Sequence, residues 1–250
     1  MIWTISHLLK ATKNTIIMKK LIIIFKMFLI MEQLYAQEII DFSGKKISGY
    51  IIYTISEKFE KLGTNESIRI ITDNYKAIQS DLIAWSKISG NQVMLTDNTE
   101  DKLTFDIVKT VEKVGNGRKF SIIISDNGLE ELLSPLGFSI CAALCGYQVN
   151  IYFQGPAVKV LEKGFKERLK GVNSIFSGFA RNGLSKIGHS PAYEKLTILE
   201  EYGAKFYVCQ PSMEHFKVKE QDLAFTNIVL CEYFTFLEVL EKSDIQFFLQ

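Results

Sequence analysis

Cysteine is sparse in this chain, four in 250 residues. That density excludes a small disulfide-stapled secreted scaffold and points to a reducing, cytoplasmic setting. The four do not make a metal site either. Cys141 and Cys145 are spaced C-x3-C with no matching His or Cys pair nearby, and they fit one face of an apolar helix. Charge of either sign in excess is also missing: 29 Lys and Arg stand against 28 Asp and Glu, a formal net charge of +1. With no basic block interleaved with aromatics, nothing indicates a nucleic-acid partner. No P-loop, dinucleotide glycine fingerprint, Ser-His-Asp order or metal-ligand spacing occurs, and the glycines between residues 171 and 188 are too scattered to cradle a phosphate. No cofactor is therefore expected. No apolar run is long enough for a stable membrane span.

What is present suggests two modest domains behind a separate N-terminal stretch. Residues 1–37 read as a leader or a mis-assigned start. They are basic and apolar, with Lys19 and Lys20 before LIIIFKMFLI. Lys26 interrupts that run, and Leu34 is large for a signal-peptidase site, so an early start with Met31 as the natural first residue is the expectation.

Residues 38–115 read β-α-β-α-β-β. Glu38–Asp41 and SIRIITD are strands; residues 51–62 and 75–88 carry apolar stripes at helical spacing; QVMLTDN and KLTFDIVKTV form an antiparallel pair. Two helices on one face of such a sheet give a two-layer sandwich. Gly115, Asn116, Gly117 and Arg118 read as a short joint.

Residues 116–250 alternate strand and helix, which predicts a doubly wound parallel sheet with both faces covered. Strands are expected at 120–125, QVNIYFQ, 204–208, 227–231 and Ile245–Leu249. Helices are expected at 129–145, 158–169, 191–202 and Tyr233–Glu241. Residues 171–188 read as an irregular lid or pocket wall. Cys209 falls just after an apolar strand and before a turn at Pro211. That position predicts a thiol at the carboxyl edge of the sheet, open to solvent and facing amide donors that favour the thiolate. Cys141 and Cys145 are expected to be buried. His215 reads as a surface residue and His189 as part of the cap of the helix starting at Pro191. Cys231 reads as core, with a resolving thiol as the alternative.

The run YGAKFYVCQPSMEHFKVKEQDL resembles the stretch around the cysteine of the DsrE-like sulfur-carrier family, with Gly203, Val208, Cys209, Ser212 and Met213 filling its pattern. KFSIIISDNGLEELLSPLGFSICAALCGYQVNIYFQ resembles the first strand, helix and second strand of that family. Upstream, IIDFSGKKISGYI and ESIRIITDNYKAIQSDLIAWSKISGNQV resemble the TusA family of sulfur-transfer proteins: Asp41 and Gly44 fit, but Ile47 stands at its cysteine, and Ser48 and Tyr50 at its prolines. The resemblances imply a sulfur carrier or persulfide sulfurtransferase working through Cys209. They imply donor and acceptor proteins as partners, a homo-oligomer, and a first domain without its own thiol that serves docking or assembly. A non-catalytic scaffold of a sulfur-relay complex is the competing expectation, since chemistry has been lost at Ile47.

Overall fold

Apolar alternation in Ser67–Asp73 puts Ile68, Ile70 and Thr72 on one side, and Leu103, Phe105 and Ile107 match them from Lys102–Val108. In the computed structural model, which describes residues 37–111, 115 and 117–249, these are neighbouring antiparallel strands with Ile70 opposite Phe105. The first sheet has the order β1-β2-β4-β3, with β1 Glu38–Asp41, β2 Ser67–Asp73, β3 Gln92–Asn98 and β4 Lys102–Val108. Helix α1 (Ser48–Phe59) buries Ile51, Ile52, Ile55 and Phe59; α2 (Lys76–Ser89) buries Ile78, Leu82 and Trp85. Gly90, at φ +83°, closes α2 in the left-handed conformation that glycine adopts freely, its N–H reaching Ser86 O at 3.0 Å. The β-α-β-α-β-β order is as the sequence predicts.

The second sheet is entirely parallel, in the order β8-β7-β6-β5-β9. Its strands are β5 Lys119–Ile124, β6 Gln148–Phe153, β7 Lys205–Cys209, β8 Ile228–Cys231 and β9 Ile245–Leu249. The α/β class and the parallel second sheet agree with the sequence expectation. Phe120, Ile122, Ile124, Val149, Ile151, Phe153, Phe206 and Val208 point to one face, where α3 (Leu129–Leu144) and α5 (Ala192–Glu201) cover them. The opposite face carries Ile123, Tyr152, Tyr207, Cys209 and Cys231. Phe236 of α7 (Tyr233–Glu241) covers these residues; α7 leads from β8 at one edge to β9 at the other. The two faces are thus unequal: one is broad and apolar under two helices, the other small, aromatic and thiol-bearing under a short helix.

Residues Ile39–Gln250 make one compact unit whose main core runs through both sheets. Helices α1 and α3 pack together, and the Trp85 indole donates to Leu144 O at 3.2 Å. Such a buried hydrogen bond contributes about 1 kcal/mol.

Two local expectations are corrected. Residues 158–169 are not an α-helix: a 3-10 segment, Gly155–Leu161, is followed by turns. Ala157, Val158, Val160 and Leu161 are all buried in close succession, which a one-sided α-helix cannot achieve, and Gly164 at φ +76° breaks the chain direction. Residues 171–188 are not irregular: a 3-10 turn, Gly171–Phe176, leads into α4 (Ser177–Lys186). Gly178 and Gly183 weaken helix propensity, but they do not forbid the conformation. The expectations for the leader, residues 1–36, and for Asn116 of the joint lie outside the described residues. Among the described residues, no helix is long and apolar enough to cross a membrane.

Candidate functional site

β7 ends at Cys209 and α6 (Gln210–Phe216) begins at the next residue. Pro211 suits that junction because the first turn of a helix has no use for its missing N–H. Cys209 is therefore at the carboxyl edge of the sheet, as its sequence position predicts. The predicted exposure is overturned: Cys209 is only 3% exposed, and its side chain makes no capping hydrogen bond to α6. Strand alternation is the reason. Phe206 and Val208 face the main core, so Tyr207 and Cys209 turn to the opposite face, away from the helix amides.

There the thiol meets a closed aromatic group. Tyr152 stacks on Phe236 with ring centroids 4.8 Å apart, and Tyr207 meets Phe236 edge-on at 5.2 Å. Tyr152 is 1% exposed, and its buried hydroxyl has no well-aligned hydrogen-bond partner. Burial, reinforced by the neighbouring Cys209 sulfur, pushes the phenol above its ordinary range, so it remains a donor. An unsatisfied buried hydroxyl costs about 1–3 kcal/mol. A species bound at the Cys209 sulfur would relieve that cost by accepting its proton in a hydrogen bond. Cys231 completes the group: its Cα is the register partner of Cys209 on β8.

Around this edge, Ser212 Oγ accepts from Gly155 N–H at 2.9 Å, and Gln154 Nε2 donates to Ser125 Oγ at 3.0 Å. These contacts tie the loops after β5, β6 and β7 together. Gln210 is exposed, and His215 is exposed beside the Phe216 ring, the surface position expected for it. Among the described residues, no cluster of His, Cys, Asp and Glu is arranged to hold a metal ion.

The remaining candidates divide. Cys145 is buried, as expected, and burial pushes its thiol up to about 11. Cys141 is exposed, contrary to expectation, because it lies on the α3 face turned toward a cleft beside α1. Desolvation by the cleft walls, with Asp81 adding repulsion, raises its thiol all the same. His189 does not cap α5. Glu167 does that work, accepting from Ala192 N–H at 3.2 Å, while His189 Nδ1 is buried without a partner.

Sequence reasoning missed Tyr152 and Phe236 as parts of the Cys209 environment. It also missed the buried Lys195, whose ammonium is pushed down to about 8 by burial. A signal for Lys195 existed: it occupies the second position of the apolar stripe Ala192, Lys195, Leu196, Leu199. Tyr152 and Phe236 carry no local mark, since their role arises from a crossover between distant strands.

No curated protein matches the chain. Among solved structures, the YchN protein of E. coli is similar over 52% of this chain and 98% of its own, at 11% identity and a TM-score of 0.37. A profile of the DsrE/DsrF-like family matches residues 96–247, from within β3 to within β9. Because that match takes in more than half of the 250 residues, among them the sheet that presents Cys209, the chain belongs to the DsrE/DsrF-like family.

Proposed function

We propose that this protein is a sulfur carrier or sulfurtransferase that relays persulfide sulfur through Cys209. The family is associated with sulfur relay. The observation that carries the reading is the Cys209 thiol at a sheet edge with an unsatisfied, protonated Tyr152 hydroxyl beside it. In the reaction, the Cys209 thiolate attacks the outer sulfur of a donor persulfide and the donor leaves as a thiolate. An acceptor thiolate then attacks the outer sulfur now held on Cys209. Tyr152 O–H stabilises the added sulfur by hydrogen bonding. The chemistry requires free thiols, and the cytoplasm is the compartment we assign.

Donor and acceptor proteins are the partners this reading requires. Exposed Val172, Ile175, Phe176 and Phe179 support docking, on a segment tied to the loop after β5 through Lys170 and Asp126. The first sheet is assigned to docking or assembly as a TusA-like module without a carrier thiol. Ile47 stands just before α1, and exposed Met94 and Leu95 lie on the edge strand β3. The burial of Cys209 favours a second reading, a scaffold that binds relay partners without carrying sulfur.

Incubation with inorganic polysulfide followed by intact-mass measurement separates the two. One added sulfur atom is expected, lost in Cys209→Ala, kept in Cys141→Ala, and shorter-lived in Tyr152→Phe. Sulfur uptake that survives in Cys209→Ala would remove the carrier reading and leave the scaffold.

A further inference from the structure

Cys209 and Cys231 end neighbouring parallel strands in direct register, Tyr207 with Val229, Val208 with Leu230, and Cys209 with Cys231. Both thiols point to the same face and share one closed cluster with Tyr152, Tyr207 and Phe236. Both are free. Adjacent strands run about 4.8 Å apart, inside the Cα separations of about 4.4–6.8 Å that a disulfide spans, so the two thiols stand within bridging reach. Cys209 is the other thiol of that cluster and the immediate neighbour of Cys231 across the strand pair.

We propose that Cys231 is the resolving thiol of Cys209, which gives the protein a second activity: dithiol-dependent release of carried sulfur as sulfide. This rests on the reading of Cys209 as the persulfide carrier. In the step, the Cys231 sulfur attacks the inner sulfur of the Cys209 persulfide. The Cys209–Cys231 bond forms and the bond from Cys209 to the outer sulfur breaks. The outer sulfur leaves as hydrosulfide and takes up the Cys231 proton, becoming hydrogen sulfide. The outer sulfur is reduced, and the two cysteine sulfurs are oxidised to the disulfide. A dithiol reductant then reopens the disulfide by exchange, ending as a disulfide itself. Burial and the nearby Cys209 sulfur raise the Cys231 thiol, so it rests protonated and attacks slowly. A docked acceptor therefore has time to take the outer sulfur first, and resolution empties the site when none arrives.

The test loads the full chain with inorganic polysulfide, removes the donor, and follows sulfide release, intact mass and disulfide-linked peptides. In the wild type, sulfide should appear as the added sulfur disappears, and peptides containing Cys209 and Cys231 should become linked. In Cys231→Ser the added sulfur should persist roughly tenfold longer with no sulfide. Diamide, which oxidises dithiols without supplying sulfur, should link the same pair in the wild type, a measurement that needs no variant. Equal sulfur lifetimes in wild type and Cys231→Ser, or no Cys209–Cys231 link under either treatment, overturn the proposal. If diamide links the pair but neither the wild type nor Cys231→Ser accepts sulfur, the carrier reading itself fails and the resolving step falls with it.

Discussion

His189 illustrates how one half-buried side chain sets a pH dependence. Burial, with the Lys195 charge adding to it, pushes the imidazole down to about 4 from its ordinary 6.5. The unfolded chain takes up a proton between those values that the folded chain refuses. The contribution of His189 is therefore fully present above pH 6.5 and is lost as pH drops toward 4, by roughly 3 kcal/mol for a shift of this size. The variant His189→Gln should flatten that decline. Thermal unfolding at pH 4.5 and pH 7 checks it: the wild type should lose more Tm between the two than the variant does. Equal losses would mean that His189 is hydrated in solution. The same scale explains Cys209 and Cys141. A shift of one residue along a strand or helix decides which face a thiol takes, and the two cysteines exchange the exposures that apolar neighbours alone suggest.

At the level of elements, α7 lies over the cluster that holds Cys209. It is held mainly by Phe236, its one fully buried residue, while Tyr233, Phe234 and Leu237 are exposed. An element with so few buried contacts opens locally more easily than the sheet beneath it unfolds. Truncating a buried Phe to Ala typically costs about 3–5 kcal/mol. If even about 3 kcal/mol of that falls on α7 alone, the open population rises about a hundredfold. Phe236→Ala should thus speed alkylation of Cys209 by about that factor, with Cys141 labelling unchanged. Peptide mapping after brief exposure to a small alkylating agent reads both sites at once. An unchanged Cys209 rate would show that another path reaches the thiol.

For the whole molecule, the exposed aromatic side of α7 and β9 bears on assembly. Of the aromatics at this end of the chain, Phe236 and Phe247 pack inward, whereas Tyr233, Phe234 and Phe248 are 67%, 89% and 50% exposed. A patch of this kind favours self-association, and closed symmetric oligomers are the common outcome. Light scattering should give a mass above the 28.5 kDa of one chain, and Phe234→Glu should lower it. A monomer at every concentration would assign these side chains to another partner. The joint near Gly115 and Gly117 remains our proposed boundary between two halves, which the α1–α3 contact and the Trp85–Leu144 bond hold together.

The sequence by itself determined the order of the strands along the chain and both sheet types. Alternation in SIRIITD and KLTFDIV, helical stripes ending at Trp85, and β-branched runs such as FSIII are local signals, because each element buries the face its own period defines. It also put Cys209 at the end of a strand, since Pro211 and the apolar run before it are local too. It misread residues 158–188, where burial on several sides and glycine geometry, not periodicity, set the backbone. Only the tertiary structure decided which face Cys209 takes and what stands beside it. Tyr152, Cys231 and Phe236 come from a different strand, an edge strand and a crossover helix. Their meeting depends on parallel register between strands tens of residues apart, and no short-range pattern records a register of that kind.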